Sequence, residues 1–356
     1  MNDEYRQVYQ ELQRRMARGG DLSPGSRDSL AVFTHDGEWD RTRRHMQSAV
    51  LERFKADNAH RPRGGHAVLM TAGAPGSGKS TSQRNLDAWQ NQDSELGRHL
   101  AAAHGLDLKD YVVLDPDEFK RALFESGGLP QLDPRSMALP YGRELAPAEL
   151  SGLLHREASQ LRDRFETWAR REGYNLLYDA TLANETGSAK LLTDLRDEKY
   201  SQRVILSVEV PLEQSLAQNA DRWYKGRLAY EQGKDNYGGR MSPDQMIHAL
   251  YAKTTTGSGH SIGRENAEKL ADRGLATGLI TSDRGAFPAP ALAATGVLAQ
   301  APAFQQGDTQ MRIASAGRLR STTGTATPPA NRPTRQQPAP QPPHIPHQQP
   351  GPGPTR

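Results

Sequence analysis

The chain has 356 residues, 35% of them hydrophobic and 24% charged, and its lack of cysteine excludes a disulfide scaffold and any thiolate metal site. It is long enough for one large domain or two ordinary ones, and no apolar run approaches the roughly 18 residues of a membrane span, so a soluble, cytoplasmic protein is expected. The formal charge of +3 is unevenly placed: from Thr309 onward there are six arginines and no acid, leaving 39 basic against 42 acidic residues in 1–308, a formal −3 that argues against a nucleic-acid binder.

Residues 1–20 are charged and helix-prone, with Tyr5, Val8, Tyr9, Leu12 and Met16 recurring near helical spacing, and Gly19-Gly20 ends the segment. A second helix is expected over Asp40 to Asp57, with Met46, Val50, Leu51 and Phe54 on one face. Both helices can pack on the body of the protein or offer a docking surface to another one.

Ala67 to Ala72 reads as a short buried strand, and it runs into GAPGSGKS, Gly73 to Ser80, which meets the pattern G-x-x-x-x-G-K-S/T. Nucleotide phosphates need backbone N–H groups pointing inward, and Gly73, Gly76 and Gly78 tolerate the dihedrals that allow this. The expected nucleotide cradle is Gly73, Ala74, Pro75, Gly76, Ser77, Gly78, Lys79, Ser80 and Thr81. Lys79 would reach the β- and γ-phosphates of ATP, and the Ser80 hydroxyl would ligate Mg²⁺.

Tyr111 to Leu114 is a second strand, followed by Asp115-Pro116-Asp117-Glu118. Asp115 as N-cap and Pro116 at the first helical position suit a helix start. The same turn falls at a strand's carboxyl end, where open α/β sheets bind ligands. A carboxylate there can accept the proton of an attacking hydroxyl; Asp117 is preferred as that base, with Asp115 as cap or in the outer shell of Mg²⁺. Residues 121–146 hold Gly127-Gly128, Pro130, Pro134 and Pro140 and should be irregular.

A long helix is expected from Pro147, its core stripe formed by Leu154, Ala158, Leu161, Phe165 and Trp168, with Asp163 off that stripe as a solvated acid. Tyr174 to Tyr178 is a third strand ending in Asp179-Ala180-Thr181, again at a ligand-binding position. Arg203 to Val210 is a fourth strand, and the following helix carries Arg227 into a Gly-, Asn- and Asp-rich loop ending at Arg240. Two arginines flanking such a loop suit a lid over phosphates, or equally the solvated surface of a loop. Ala276 to Thr281 is a last strand. Residues 288–356 hold 14 of the 24 prolines and are expected to form a disordered tail.

The combination of GAPGSGKS, VVLDPDEFKRAL at Val112 to Leu123, GYNLLYDAT at Gly173 to Thr181, and Arg227 with Arg240 before MSPDQ resembles the zeta-toxin family of P-loop kinases, the toxins of epsilon/zeta toxin–antitoxin systems. The resemblance implies a parallel sheet flanked by helices, ATP and Mg²⁺ as cofactors, and phosphorylation of a hydroxyl of UDP-N-acetylglucosamine. It implies Lys79, Asp117, Arg227 and Arg240 as catalytic residues, and an antitoxin as partner. Counting back ungapped from GYNL sets Asp163 at the family's substrate-binding glutamate; Thr181 matches its substrate threonine, and Asp179 stands where glutamate is usual. Ala183 falls where some members have a substrate-binding arginine, which leaves NAD or another nucleotide acceptor open. The expected organisation is a helical extension at 1–39, a kinase domain at 40–287 and the tail. A polynucleotide-end kinase and a nucleotide-dependent switch protein are the alternatives.

Overall fold

The computed structural model describes residues 1–25, 27–90, 107–285 and 309–313. Its centre is a sheet whose middle strand, β1 (Ala67–Ala72), is buried at all six positions. A continuous apolar run of this kind belongs in a parallel sheet covered on both faces. The further strands are β2 (Tyr111–Leu114), β3 (Asn175–Tyr178), β4 (Gln202–Glu209) and β5 (Gly278–Asp283). These five are parallel in the order 2-3-1-4-5, with Leu69 of β1 opposite Leu177 of β3 and Val204 of β4.

Alternation along β1 separates two cores. Val68, Met70 and Ala72 face one apolar layer with Val112, Leu176 and Ile205, whereas Ala67 and Leu69 face another with Leu177, Leu206 and Leu86. Nine helices of nine or more residues can be followed in the described chain: α1 (Asp3–Met16), α2 (Arg41–Asn58), α3 (Lys79–Gln90), α4 (Pro116–Glu125), α5 (His155–Arg171), α6 (Glu185–Asp197), α7 (Leu212–Glu231), α8 (Asp244–Ala252) and α9 (Ile262–Asp272). The architecture is the α/β P-loop kinase fold expected from the sequence. Among the described residues no helix is long and apolar enough to cross a membrane.

Two departures from the expected elements, and one choice left open by the sequence, have physical reasons. Pro147–Leu154 is a 3-10 segment, and the α-helix starts only at His155. The fully buried Glu149 reaches back to accept from the Ala146 N–H at 2.8 Å, and it also accepts from Trp223 Nε1 at 2.8 Å, which ties this turn down to α7. Second, of its two readings α1 takes packing on the body: Tyr5, Val8, Tyr9, Leu12 and Met16 are buried in one cluster with Leu150, Leu153, Trp223 and Met241, so that face is already covered. Third, Thr309–Ile313, inside the segment expected to be unstructured, forms a strand β6 antiparallel to β5. An uncovered sheet edge offers a row of backbone donors and acceptors that a short segment can satisfy whatever the composition around it. The rest of the expected tail lies outside the described residues.

Because Leu12 is fully buried in the α1 cluster, Leu12→Ala should cost about 2–5 kcal/mol in urea unfolding. The loss should appear in a single transition, and a separate early transition for residues 1–39 would show an independently folded extension instead.

Candidate active site

Strand order places β1 with a parallel neighbour on each side, so the turns after β1, β2 and β3 leave the same end of the sheet. They carry the phosphate loop, Asp115 with Asp117, and Asp179 with Thr181. All three turns line one cavity of about 850 Å³.

The loop geometry follows from its glycines. Gly73 and Gly76 have φ of 135° and 86°. A Cβ at Gly73 would lie 2.2 Å from the Val208 carbonyl oxygen, and one at Gly76 would lie 2.4 Å from that of Ser215, so a side chain at either would push the loop off β4 and α7. Ser215 Oγ donates to the Pro75 carbonyl at 2.7 Å and pins the loop from the α7 side. Lys79 Nζ donates to the Gly73 carbonyl at 3.1 Å and lies 4.0 Å from Asp179 Oδ1. Thr71 at the end of β1 donates to the same Asp179 oxygen at 2.9 Å, which orients that carboxylate toward the loop.

Asp115 caps α4 by accepting from the Asp117 N–H at 2.8 Å, with Pro116 at the first turn, as its sequence position predicts. Asp117 holds two cations: Lys120 Nζ at 2.8 Å on Oδ1 and Arg240 Nη1 at 3.0 Å on Oδ2. The two carboxylates therefore differ in charge. Burial raises the Asp115 pKa to about 7, helped by the negative charges of Asp117 and Asp179. Burial also opposes ionisation of Asp117, but the charges of Lys120 and Arg240, the Lys120 hydrogen bond and the Arg222 charge outweigh it and hold Asp117 at about 2. His155, at the start of α5, lines the same cavity and is kept toward its neutral form by burial and by the Lys120 charge.

Two expected site residues are not in the cavity. Arg227 is only 2% exposed and is spent inside the protein, donating to both oxygens of Glu149 at 3.1 and 2.9 Å and to Glu231 at 2.8 Å. The arginine of α7 that does line the cavity is Arg222: with Asp117 and Arg240 it lines both the large cavity and a smaller one of about 240 Å³. Asp163 points to solvent, with its side chain 62% exposed and paired with Arg162 at 2.9 Å. The part of α5 that reaches the cavity is its first turn, at His155, two turns nearer the sheet's carboxyl end. Lys120 and Arg222 carried only weak sequence signals, Lys120 as the residue one turn after Asp117 and Arg222 as a second arginine on the helix of Arg227. Thr181, Asp179, Lys79, Ser80 and Thr81 all line the cavity, and Thr181 also accepts the Gly73 N–H at 3.5 Å.

These residues fit a nucleoside triphosphate and Mg²⁺. The loop is a concave cradle that side chains would fill, and Ser77 Oγ is buried in it with no hydrogen-bond partner among the described residues. Ser80, with Asp115 and Asp179 lining the same cavity, is the sparse protein contribution that Mg²⁺ takes when phosphates supply other ligands. No cluster of three or more His, Asp or Glu side chains suited to a metal occurs among the described residues.

The sequence family described as Zeta toxin matches residues 51–256. Comparison with curated proteins returned no match. Among solved structures, the PezAT chromosomal toxin–antitoxin system of Streptococcus pneumoniae is 15% identical, with 68% of this chain and 77% of that one covered, at a TM-score of 0.44. The AvrRxo1-ORF1:AvrRxo1-ORF2 complex with sulphate ions is 16% identical over 70% of this chain, at a TM-score of 0.42, and this chain spans only 65% of that one. A kinase described as putative from Chloroflexus aurantiacus is 13% identical, with 52% and 76% covered, at a TM-score of 0.30.

The raised Asp115 pKa has a stability consequence. The folded protein binds a proton at Asp115 up to about pH 7, whereas the unfolded chain releases it near pH 4, so this group makes stability fall as pH rises across that window. Asp115→Asn keeps an oxygen for the Asp117 N–H and removes the titration. Urea unfolding between pH 4.5 and 7.5 should show a decline shallower than wild type by up to about 1 kcal/mol per pH unit; identical slopes would contradict the protonated Asp115.

Proposed function

The chain belongs to the zeta-toxin family of P-loop kinases, and from that membership we propose that it transfers the γ-phosphoryl group of ATP to a hydroxyl of a nucleotide-type acceptor, with a nucleotide sugar such as UDP-N-acetylglucosamine as the leading candidate. The observation that carries this reading is the one cavity shared by the phosphate loop and Asp117, whose carboxylate is held by Lys120 and Arg240 with Arg222 lining the same space.

In this mechanism Lys79 binds the β- and γ-phosphates and the loop amides hold them in place. Bound at Ser80, Mg²⁺ would offset charge on the phosphate oxygens. Asp117 orients the acceptor hydroxyl. The acceptor oxygen forms its bond to the γ-phosphorus, the bond from that phosphorus to the β–γ bridging oxygen breaks, and ADP leaves. Phosphoryl transfer passes through a loose transition state, so the hydroxyl becomes strongly acidic only late. A carboxylate of low pKa is then a competent acceptor for its proton. Arg240 and Arg222 stand where negative charge on the transferring group can be neutralised, a role that the resemblance gave to Arg227.

The acidic balance of residues 1–308 favours a small acceptor over a polynucleotide end. The family also brings an antitoxin protein into the proposal as partner, and the requirement for ATP points to action in the cytosol.

The test is incubation with ATP, Mg²⁺ and a panel of UDP-N-acetylglucosamine, other nucleotide sugars, NAD and oligonucleotides, following ADP release and product mass. Phosphorylation of a nucleotide is expected, and a panel without any acceptor-dependent product would sink the kinase reading. Asp117→Asn should lower single-turnover transfer by about 10²-fold or more while ATP affinity by calorimetry changes little. Undiminished transfer in that variant would remove Asp117 from the base role. Arg222→Ala should lower kcat/KM by on the order of 10²-fold, the scale of losing one preorganised donor to developing charge.

A further inference from the structure

The family match begins at residue 51, so the first 50 residues lie outside it, yet part of that segment reaches the cavity. Met16, Leu22 and Pro24 line the cavity together with Ser151, Gly152 and His155 at the start of α5. The approach is close: a Cβ on Gly152 would lie 2.7 Å from the Leu22 carbonyl oxygen.

The segment is held rigidly. Arg15, 5% exposed, donates to Asp21 through Nε at 3.0 Å and Nη2 at 2.6 Å and to the Ala138 carbonyl at 3.2 Å, while the Leu22 N–H returns to the Arg15 carbonyl at 3.1 Å. These bonds close the turn that presents Met16 and Leu22. The same helix grips the chain just after Arg240. Tyr9 donates to Asp244 Oδ1 at 2.7 Å, and Gln13 both donates to the Ser242 carbonyl at 3.3 Å and accepts the Asp244 N–H at 2.7 Å. From the other side, Asn219 of α7 bonds the N–H and the carbonyl of Ser242 at 3.0 and 2.9 Å.

We propose that residues 1–25 are a working part of the site, with Met16 and Pro24, backed by the buried Leu22, forming the apolar wall that packs against the heterocycle of a nucleotide acceptor, and Tyr9 with Gln13 positioning the Arg240 segment. The proposal rests on the kinase reading above and specifies the acceptor's binding determinant. Its chemistry divides cleanly. A thioether and a pyrrolidine ring offer a surface without charge that suits the face of a flat ring. Lys120, Arg222 and Arg240 in the same cavity offer the cations that an acceptor's own phosphates need. Tyr9 and Gln13 touch no reacting atom and are positioning residues.

Hydrogen exchange on the full chain tests the wall without requiring turnover. With the non-hydrolysable analogue AMP-PNP and Mg²⁺ present, saturating UDP-N-acetylglucosamine or NAD should add protection at residues 14–25 beyond that given by AMP-PNP alone. No added protection with either nucleotide overturns the proposal. In steady-state assays Pro24→Glu, at an exposed position that tolerates substitution in folding terms, and Met16→Gln should each raise KM for the phosphorylated nucleotide about tenfold or more while KM for ATP stays within twofold. A parallel rise in KM for ATP would assign the wall to the donor and overturn the proposal. Protection at 14–25 without phosphorylation of either nucleotide would count against the kinase reading and leave the binding wall standing.

Discussion

The strand Ala67–Ala72 is hydrogen-bonded in parallel to a neighbour on each side and buried on both faces, and three chain segments must therefore leave the sheet at one end. Everything in the cavity descends from that constraint. The phosphate loop extends the middle strand itself, and Thr71, one residue before its end, orients Asp179 on the next strand. Asp115 follows the outer strand of the same group. A one-residue slip of any of these strands would turn its terminal carboxylate or loop to the opposite face. Thr71, whose hydroxyl bonds Asp179 and the Ala180 N–H from one face of an otherwise apolar strand, marks the register that a slip would lose.

Within this frame the site's polarity comes from sharing a few cations unequally. Lys120 and Arg240 both contact Asp117, whereas Arg240 stands 4.0 Å from Asp115. Two neighbouring carboxylates cannot both ionise cheaply away from water, so the one with the cations keeps its charge and the other keeps its proton. The buried Glu149 resolves a similar conflict elsewhere by holding Arg227 and Trp223. That choice removes Arg227 from the cavity, and it also fixes which face of α7 is left to carry Arg222.

The phosphate loop, the five strands of the parallel sheet and the Asp115 cap were legible in the sequence because each depends on local chemistry: glycines at fixed spacing, unbroken apolar runs, and an acid before Pro116. What was illegible depended on distant partners. Arg222 and Arg227 are five residues apart on one helix, about 140° around its axis, and nothing nearby in sequence says which faces the cavity. Glu149, more than seventy positions earlier, decides it. Periodicity set Asp163 off the core stripe as a solvated acid, and it is exposed; the ungapped count that made it a substrate ligand points to a position along α5 about 12 Å beyond the turn that meets the cavity. The strand Thr309–Ile313 was hidden because its partner is a sheet edge that exists only once the fold has formed. The family match is itself silent on α1, so the burial of Tyr5 and Leu12 against Trp223 emerged only from the structure.

The grip of α1 on the far end of the chain also bears on the order in which the protein is made. Tyr9 and its partner Asp244 are 235 positions apart, and Tyr5 and its partner Glu231 are 226 apart. The apolar face of α1 is thus covered only once the chain has been made as far as Met241 and Asp244. A nascent chain stopped short of Asp244 lacks the Tyr9 and Gln13 contacts that hold the segment after Arg240. The cavity therefore depends on a contact between segments more than two hundred residues apart in sequence.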